Sequence, residues 1–251
     1  MSLQLRVATF NIRNSSADDG DDSWVLRREA TAQAIEALAA DVVGLQEVLP
    51  DQLEYLRERF AQYELVGAGR DDGVHAGEHS VVMVRPGDWR VESDETRWLS
   101  GEPTTPGSVG WDADLTRIAT LARLGHTDGT LVGIANTHFD HLGEVARVES
   151  SKLLDQWMSA EPDRHWVLLG DLNAEPGSPP LKALTGAGWL DAVPAEAGGS
   201  WHDFGDATGQ ERIDHILTAK TWQVIDAEVS HHRPDGRFPS DHWPVVATLQ
   251  L

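Results

Sequence analysis

The sequence of 251 residues contains no cysteine, which excludes a disulfide framework and a zinc site built on thiolates. It also lacks a run of 18 or more apolar residues, so no segment is long enough to span a membrane as a helix. The N-terminal stretch MSLQLRVATFNIR resembles a short strand rather than the basic, then apolar, pattern of a signal peptide. We therefore expect a cytoplasmic protein without membrane association.

Positive charge is scarce in this chain. Lys and Arg number 20 against 41 Asp and Glu, which gives a formal net charge of −21. Nucleic-acid binding rests largely on cations that neutralise phosphates, so this balance disfavours tight binding to long DNA or RNA. A surface tuned for solubility or salt explains the acidity equally simply, and a local basic patch or a metal-bridged phosphate stays compatible with it. The charge balance thus favours small substrates.

The chain has no Ser- or Gly-rich linker and no break in composition, so we predict a single domain over residues 1–251. Runs rich in β-branched residues predict strands at residues 3–10, 41–48, 80–85, 117–124, 130–139, 165–170, 212–218, 222–230 and 245–251. Helical spacing predicts helices at residues 23–40, 51–60, 143–160 and 178–185, with Ser23 and Asp51 as candidate N-caps. Directly consecutive strands predominate, which favours a mixed α/β sandwich over a doubly wound parallel sheet.

Acceptor and imidazole side chains lie at or beside the ends of these strands, in six short motifs. The motifs are TFNIR (Asn11), LQEV (Glu47), NTHFDH (His138, Asp140, His141), GDLNA (Asp171, Asn173), RIDHI (Asp214, His215) and SDHWPV (Asp241, His242). Taken singly, each side chain has an ordinary explanation as a turn former, an ion pair, a loop cap or a buried imidazole. Burial of a carboxylate or amide is costly unless it is paired or metal-bound, so the whole set indicates convergence on one site.

Metal-assisted attack of water on a phosphoester is the chemistry that requires such a set. A carboxylate such as Glu47 is a hard ligand for Mg²⁺. Asp171 can orient or deprotonate the water, and Asn173 can add a neutral hydrogen bond from the same face of an extended segment. His242 can donate to a phosphate oxygen if Asp214 holds its tautomer.

The six motifs, in this order, resemble the endonuclease/exonuclease/phosphatase superfamily of DNase-like metal-dependent phosphohydrolases. The resemblance extends over about residues 5–250. It implies an α/β fold, a four-layered sandwich of two packed mixed β-sheets flanked by helices. The string NTHFDHLGEVAR, with WDADLTRIAT upstream, is similar to a bacterial branch near the deadenylase and nocturnin-type members.

The resemblance also implies a metal site, formed by Asn11 and Glu47, with Glu47 as the principal ligand of Mg²⁺ and Asp241 as a further ligand. Mn²⁺ is a possible substitute for Mg²⁺.

The implied catalytic residues are His138, Asp171, Asn173, Asp214 and His242. Of these, His138 and His242 contact the scissile phosphate. Asp171 and Asn173 activate and position the nucleophilic water, while Asp214 orients His242.

Further positions are implied around the substrate. Glu78 aligns with a carboxylate that pairs with the histidine of the NTH motif. Arg117, His141 and Arg147 reach substrate phosphate or brace the site, although an ion pair with Glu144 explains Arg147 equally well.

Trp201 and His202 lie where relatives place an aromatic-bearing loop, at the substrate mouth, with core packing as an equal alternative. The sequence departs from DNA-binding relatives because it lacks an aromatic loop interleaved with Arg and Lys, and it lacks an apolar hairpin for membrane docking.

We therefore predict a Mg²⁺-dependent hydrolase that cleaves a phosphodiester or phosphomonoester of a small phosphorylated substrate by direct attack of water. A metal-dependent nuclease acting on short or single-stranded nucleic acid is the alternative, followed by a non-catalytic binding member of the same fold.

Overall fold

The computed structural model describes residues 3–205 and 208–251, and within these ranges it contains two six-stranded sheets and four α-helices. The helices are α1 (Trp24–Ala37), α2 (Pro50–Arg59), α3 (Glu144–Ser159) and α4 (Pro179–Ala187). None of the helices in these ranges is both long and apolar enough to cross a membrane.

The first sheet contains β1 (Gln4–Asn11), β2 (Val42–Val48), β3 (Glu64–Val66), β4 (His79–Val84), β11 (Gln223–Val229) and β12 (Val245–Gln250), in the order β11-β12-β1-β2-β4-β3. The second contains β5 (Trp89–Trp98), β6 (Ile118–His126), β7 (Leu131–His138), β8 (His165–Asp171), β9 (Leu190–Asp191) and β10 (Asp214–Thr218), in the order β5-β6-β7-β8-β10-β9. Both sheets are mixed, because β1 with β2 and β7 with β8 are parallel pairs among antiparallel neighbours.

Three apolar cores separate four layers. Val7 belongs to the core between the two sheets. Phe10, on the opposite face of β1, packs with Ile35 of α1 in a core that also takes in α2. Leu168 of β8 packs with Leu154 of α3 in the core beneath α3 and α4. The predicted four-layered sandwich is therefore confirmed.

The central strand β8 shows why the strands are continuously apolar in the sequence. In the segment 166–169, the even-numbered residues pack toward the helices and the odd-numbered residues pack toward the other sheet. Successive side chains of a strand point to opposite faces, and here both faces are covered. At Gly170 a Cβ atom would lie 2.3 Å from the carbonyl oxygen of Thr137, so only glycine allows this approach of β7 and β8.

Strand directions bring the polar motifs to one edge of the sandwich. The parallel strands β1 and β2 end side by side, at Asn11 and beside Glu47. In the second sheet, His138 at the end of β7 pairs with Asp171 at the end of β8. The antiparallel strand β10 begins at Asp214, also opposite Asp171. Because β12 runs antiparallel to β1, the loop before β12 lies at the same edge.

Some elements differ from the predictions. The strands β3, β5 and β9 were not predicted, since β3 and β9 are very short and β5 is a polar edge strand with the sequence WRVESDETRW. Ser23 occupies the N-cap position of α1 but makes no side-chain cap hydrogen bond. The cap predicted for Asp51 is wrong: α2 begins at Pro50 after Leu49, and Asp51 lies in the first turn, where it accepts a hydrogen bond from the Ser15 hydroxyl.

Candidate active site

A cleft of about 390 Å³ opens at the edge where the polar motifs meet. Its lining consists of Arg13, Asn14, Glu47, Glu78, Leu115, Arg117, His138, His141, Asp171, Asn173, Trp201, Glu211, Ile213, Asp241 and His242. Asn11 and Asp214 are fully buried beneath it and are hydrogen-bonded to lining residues. The structure thus brings together all the predicted catalytic and metal-site residues.

Asn11 connects two carboxylates that belong to different sheets. Its side-chain amide donates to Oε1 of Glu47 at 3.0 Å and to Oδ2 of Asp171 at 3.0 Å. Its own Oδ1 accepts from the backbone N–H of Arg13 at 2.9 Å, which leaves the amide nitrogen directed at the carboxylates. Both hydrogens of the Asn11 amide are therefore engaged, and they fix the positions of the Glu47 and Asp171 carboxylates relative to each other.

Glu47 lies where β2 departs from regular pairing with β4, in a left-handed backbone conformation with φ of 60°. Its Oε2 accepts from the backbone N–H of Asn14 at 3.0 Å and from the Asn14 amide at 2.7 Å. Burial opposes ionisation, but the His138 side chain and the hydrogen bonds from Asn11 and Asn14 outweigh it and lower the pKa of Glu47 to about 2. Glu47 is thus a carboxylate at neutral pH.

His242 and Asp214 form a buried hydrogen-bonded pair. The Nδ1–H of His242 donates to Oδ2 of Asp214 at 2.8 Å, while Nε2 lies 3.8 Å from Oδ2 of Asp171. Burial opposes protonation of His242, but the charges of Asp214, Asp241 and Asp171 outweigh it and raise the pKa of His242 to about 10. The ring is therefore an imidazolium at neutral pH and can donate a hydrogen bond through Nε2 into the cleft.

Asp171 lies at the centre of the polar cluster. Besides the hydrogen bond from Asn11, its Oδ2 is 3.4 Å from Nε2 of His138. Burial and the nearby charge of Asp214 raise the pKa of Asp171 to about 7. A carboxylate whose pKa lies near the working pH is suited to accept a proton during a reaction.

Asn173 reaches the cleft through a turn rather than through an extended segment. Its backbone has φ of 45°, and its N–H donates to Oδ1 of Asp171 at 2.9 Å, which is the geometry of an Asx-turn. Its amide donates to the carbonyl of Phe139 at 3.0 Å. Leu172 points away into the core beneath α3 and α4. Asp171 and Asn173 therefore both lie at the cleft, but the extended backbone that we predicted between them is corrected to a turn.

His138 is neutral at physiological pH. Burial, together with the positive charge of Arg117, holds the pKa of His138 well below its usual value. Arg117 lines the cleft, with one guanidinium nitrogen 3.3 Å from Nδ1 of His141 and another 3.6 Å from Oδ2 of Asp140.

Asp140 and Arg147 organise the loop that carries His141. Asp140 accepts hydrogen bonds from the backbone N–H groups of Leu115, Leu142 and Gly143 at 3.1, 3.0 and 2.8 Å. Arg147 donates to the carbonyl of Asp140 at 2.8 Å and does not line the cleft, so it braces the site. Among the described residues, Arg147 forms no ion pair with Glu144, which was the alternative explanation for this arginine.

Glu78 lines the cleft but does not make the contact that the resemblance implies. It pairs with Arg70, whose Nη1 lies 2.5 Å from Oε2 of Glu78. Nδ1 of His138 has no hydrogen-bond partner among the residues that the structure describes. The expected pair of Glu78 with His138 is thus replaced, because the guanidinium offers a stronger charge-assisted hydrogen bond.

Trp201 and His202 have different environments. Trp201 is half-buried and lines the cleft, whereas His202 is fully buried and stacks between Phe238 and Trp243 with ring centroids 4.7 and 4.4 Å away. Burial lowers the pKa of His202 to about 4, so the ring is neutral. Of the two alternatives given for this pair, His202 follows core packing, because the alternation along this segment turns its ring into the core.

Sequence reasoning missed several residues of the site. Arg13 and Asn14 line the cleft directly after the TFNIR strand, and their position beside Asn11 was the signal that could have found them. Glu211 also lines the cleft. It follows Gly209 and Gln210 and belongs to no recognisable motif, so no signal in the sequence pointed to it. Arg27, buried in α1, donates to the carbonyls of Ile12, Arg13 and Pro239 and so supports two loops from behind.

The charge of the cleft indicates what it can hold. Among the described residues, five carboxylates line it against three cationic groups, Arg13, Arg117 and the protonated His242. A phosphate group alone would be repelled by this excess of negative charge, whereas a divalent cation would reverse the sign of the local field. Ligand atoms of Asp171, Asp214 and His242 all lie within 4.8 Å of one another. The carboxylates of this cluster and of the cleft around it are hard oxygen donors that can hold a divalent metal.

Comparison with known proteins agrees with this arrangement. The model of the Endonuclease/Exonuclease/phosphatase family matches residues 8–242, which is nearly the whole chain. The chain belongs to this family. Members of the family are metal-dependent hydrolases, and they include phosphatases, phosphodiesterases and nucleases.

Solved structures of family members superpose closely on this one. An endonuclease/exonuclease/phosphatase from Bacteroides vulgatus is 34% identical, with a TM-score of 0.93 and coverage of 99% of both chains. The mannosyl-6-phosphatase Bt3783 from Bacteroides thetaiotaomicron is 30% identical, with a TM-score of 0.89 and coverage of 98% of this chain and 99% of that one. The human Nocturnin catalytic domain, 19% identical with a TM-score of 0.75, shares the fold.

Among characterised sequences, the probable RNA exonuclease NGL3 of Saccharomyces cerevisiae is 27% identical over 207 residues. The match takes in 73% of this chain but only 40% of that protein. The chain therefore spans less than half the length of this relative.

Proposed function

We propose that this protein is a Mg²⁺-dependent phosphohydrolase that cleaves a small phosphorylated substrate by direct attack of water. The observation that carries the proposal is the cleft in which a protonated His242, held by Asp214, faces the carboxylates of Asp171, Glu47 and Asp241. Such a set provides anionic groups for a cation, an acceptor for a proton and a donor for a phosphate oxygen.

Glu47 and Asp241 are the residues that we assign to the metal, and the predicted ligand Asn11 instead holds Glu47 in place, because its amide donates to Glu47 and its Oδ1 is bound to the N–H of Arg13. Glu47 is ionised, and Asp241 lines the same cleft with the Arg13 guanidinium 3.7 Å away. His242 is a poor ligand, because the ring is protonated and its Nδ1–H is bound to Asp214. When bound, Mg²⁺ supplies neutralisation of the charge that develops on the phosphate oxygens, and Mn²⁺ is a plausible substitute.

We assign the binding of the phosphate to three histidines, His242, His138 and His141, and to Arg117. His242 points Nε2–H at the cleft, and His138 offers a neutral ring on the other side of Asp171. Arg117 adds a fixed positive charge, since it is buried and held beside Asp140. We infer that His242 donates to a phosphate oxygen and that Arg117 and His141 hold the group from the opposite wall.

Asp171 is the proposed acceptor of the proton from water. The new bond joins the water oxygen to phosphorus, the bond from phosphorus to the leaving oxygen breaks, the water proton passes to Asp171, and the leaving oxygen takes a proton from solvent water and departs as an alcohol. Asn11 and Asn173 set the orientation of this carboxylate through hydrogen bonds to its two oxygens. The chain has no cysteine, so no thiolate can form a covalent intermediate.

The wall beside the phosphate site favours an uncharged leaving group. Besides the groups assigned to the metal and the phosphate, the described residues that line the cleft include Leu115, Trp201, Ile213 and the exposed carboxylate Glu211. A second phosphate would be repelled by Glu211, whereas hydroxyl groups can donate to its carboxylate and an apolar sugar face can pack on Trp201. The similarity to a mannosyl-6-phosphatase agrees with this chemistry, and sugar monophosphates are the first class to test.

A nuclease acting on short single strands is the second candidate, supported by the similarity to a probable RNA exonuclease. The acidic wall opposes it, because a strand carries phosphates on both sides of the scissile one. A non-catalytic binding role is the third and predicts no turnover on any substrate.

A substrate panel tests the proposal. It consists of hexose 6-phosphates, p-nitrophenyl phosphate, bis(p-nitrophenyl) phosphate and a short oligonucleotide, each with Mg²⁺ and each with His242→Ala as control. We expect turnover of sugar monophosphates that is lost in the variant. Selective cleavage of the oligonucleotide would establish the nuclease instead, and no turnover of any compound would support the binding role.

A further inference from the structure

The Asp214–His242 pair is held in place by a residue that does not touch the cleft. We propose that Ser200 is a positioning residue, whose hydroxyl and backbone align Asp214 with His242. Ser200 is fully buried and lies directly before Trp201, on the segment that runs beside both members of the pair.

The hydrogen bonds of Ser200 reach two segments, residues 211–214 and Trp243. Its Oγ accepts from the backbone N–H groups of Ile213 and Asp214, both at 3.1 Å. Its carbonyl accepts from the N–H of Trp243 at 2.6 Å, and its own N–H donates to the carbonyl of Glu211 at 2.7 Å. One residue therefore joins the start of β10, which carries the aspartate, to the residue that follows the histidine.

The neighbouring residues extend this connection. Trp201 forms bridges with both Glu211 and His242, and the N–H of His202 donates to the carbonyl of Asp241 at 2.9 Å. The segment from Ser200 to His202 is thus a short strand-like connector between the two motifs. Within this described connector, Ser200 is the residue whose side chain accepts a hydrogen bond from the backbone of Asp214, which sets its role apart from that of its neighbours.

The chemistry of the position requires a small side chain with an acceptor oxygen. The N–H groups of Ile213 and Asp214 are buried at the point where β10 begins, and buried backbone donors need an acceptor. Alanine would leave both donors without Oγ and would free the first residue of β10 to shift. Oδ2 of Asp214 would then move relative to Nδ1 of His242, although neither side chain had been changed.

This inference rests on the proposed function only for its effect on turnover, since the alignment itself is a property of the free protein. The first measurement therefore needs no substrate and no metal. The Nδ1 proton of His242, bound to Asp214, should give a strongly downfield proton resonance in the full-length protein. Its assignment follows from its loss in His242→Ala.

In Ser200→Ala we expect this resonance to broaden or move upfield while the protein stays folded. We also expect kcat on the best substrate of the panel to fall about tenfold to a hundredfold with little change in KM, because a small misplacement of catalytic groups has effects of this size. Ser200→Thr, which keeps the hydroxyl oxygen, should restore both the proton resonance and kcat. Ser151→Ala removes an equally buried hydroxyl from α3 and is the matched control, expected to change neither.

An unchanged resonance in Ser200→Ala would overturn the inference, as would an equal loss in the Ser151 variant. If Ser200→Ala does not fold, Ser200→Cys replaces the oxygen by a weaker acceptor, and an unshifted resonance there would contradict the inference in the same way. A shifted resonance in a protein that turns over no phosphoester would support the role of Ser200 and would reject the proposed function alone.

Discussion

Asn11 donates one hydrogen bond to Asp171, from Nδ2 to Oδ2 at 3.0 Å, across the boundary between the two sheets. The second hydrogen of the same amide goes to Glu47 at 3.0 Å. The proposed metal ligand and the proposed proton acceptor are therefore held by one uncharged side chain. A neutral donor is suited to this position, because it stabilises both carboxylates without neutralising either.

Replacement of Asn11 by Ala should disconnect these two groups. We expect kcat/KM to fall by about 10²-fold or more, because both carboxylates lose a fixed orientation. The measurement is steady-state kinetics, with circular dichroism to establish folding. Asn14→Ala is the control, since Asn14 bonds to Glu47 but not to Asp171, and a smaller loss is expected. Equal losses in the two variants would contradict a bridging role.

Asp214→Asn should impair catalysis through His242. Loss of the carboxylate charge removes the main interaction that raises the pKa of His242, so the ring is less protonated at neutral pH. We expect kcat to fall by about 10²- to 10⁴-fold, as for the removal of a group that orients and charges a catalytic imidazole. Asp191→Asn provides a matched control, because Asp191 pairs with a different buried histidine, His215, at 3.0 Å. The control should keep kcat within a few-fold.

The pH dependence of kcat/KM should be bell-shaped. Activity requires Asp171 deprotonated and His242 protonated, so it rises as pH passes the pKa of Asp171, about 7, and falls as pH passes the pKa of His242, about 10. A cation bound beside Asp171 favours the carboxylate form, which moves the acid limb to lower pH and leaves its sign unchanged. Stopped assays between about pH 5 and about pH 11 would show this, and a rate that falls on raising the pH from 5 to 7 would contradict it.

Removal of divalent metal should abolish turnover. We expect EDTA to inactivate the protein and excess Mg²⁺ to restore it, with Mn²⁺ as a weaker or equal substitute. Glu47→Gln keeps the shape of the side chain but removes a hard anionic ligand, so its Mg²⁺ requirement should rise by about tenfold or more, the size of effect seen when groups that support a metal site are removed. Activity that survives exhaustive chelation would argue for a different mechanism.

Charge reversal at Glu211 should change substrate preference. In Glu211→Lys we expect activity on compounds with a second phosphate to increase relative to activity on sugar monophosphates, because the exposed carboxylate at the cleft wall no longer repels it. The control is Glu228→Lys on β11, which makes the same change in net charge away from the cleft. If both variants change preference equally, the effect belongs to the overall charge of the protein and not to this wall.

The layered fold was predictable from the sequence because a strand that is buried on both faces is apolar at nearly every position. Residues 166–169 of β8 are all apolar, because they pack alternately against the helices and against the other sheet. Gly170 ends this run at the point where the backbones of β7 and β8 approach closely. The edge strand β5 is mostly polar, so its sequence lacks this apolar pattern and it was missed. Burial requires apolar residues, whereas backbone hydrogen bonding at an exposed edge does not depend on the side chains in the same way.

The identities of the central polar residues were also available from the sequence alone, since Asn11, Glu47, His138, Asp171 and His242 each interrupt or end an apolar run. The contacts that the side chains of the site make were not available from the sequence. The structure pairs Glu78 with Arg70 rather than with His138, and it turns His202 into the core between two aromatic rings. The side chains that compete for one partner come from distant parts of the chain, so local pattern does not determine which contact is made.

What the sequence determined by itself is therefore the layered architecture and the set of reactive groups, because both depend on the order of polar and apolar residues along the chain. The tertiary structure alone decided the spacing of those groups: the Asn11 bridge, the Asp214–His242 hydrogen bond and the connection through Ser200. Each of these joins residues from separate motifs, and such distances are set by how the two sheets pack and not by any single stretch of sequence.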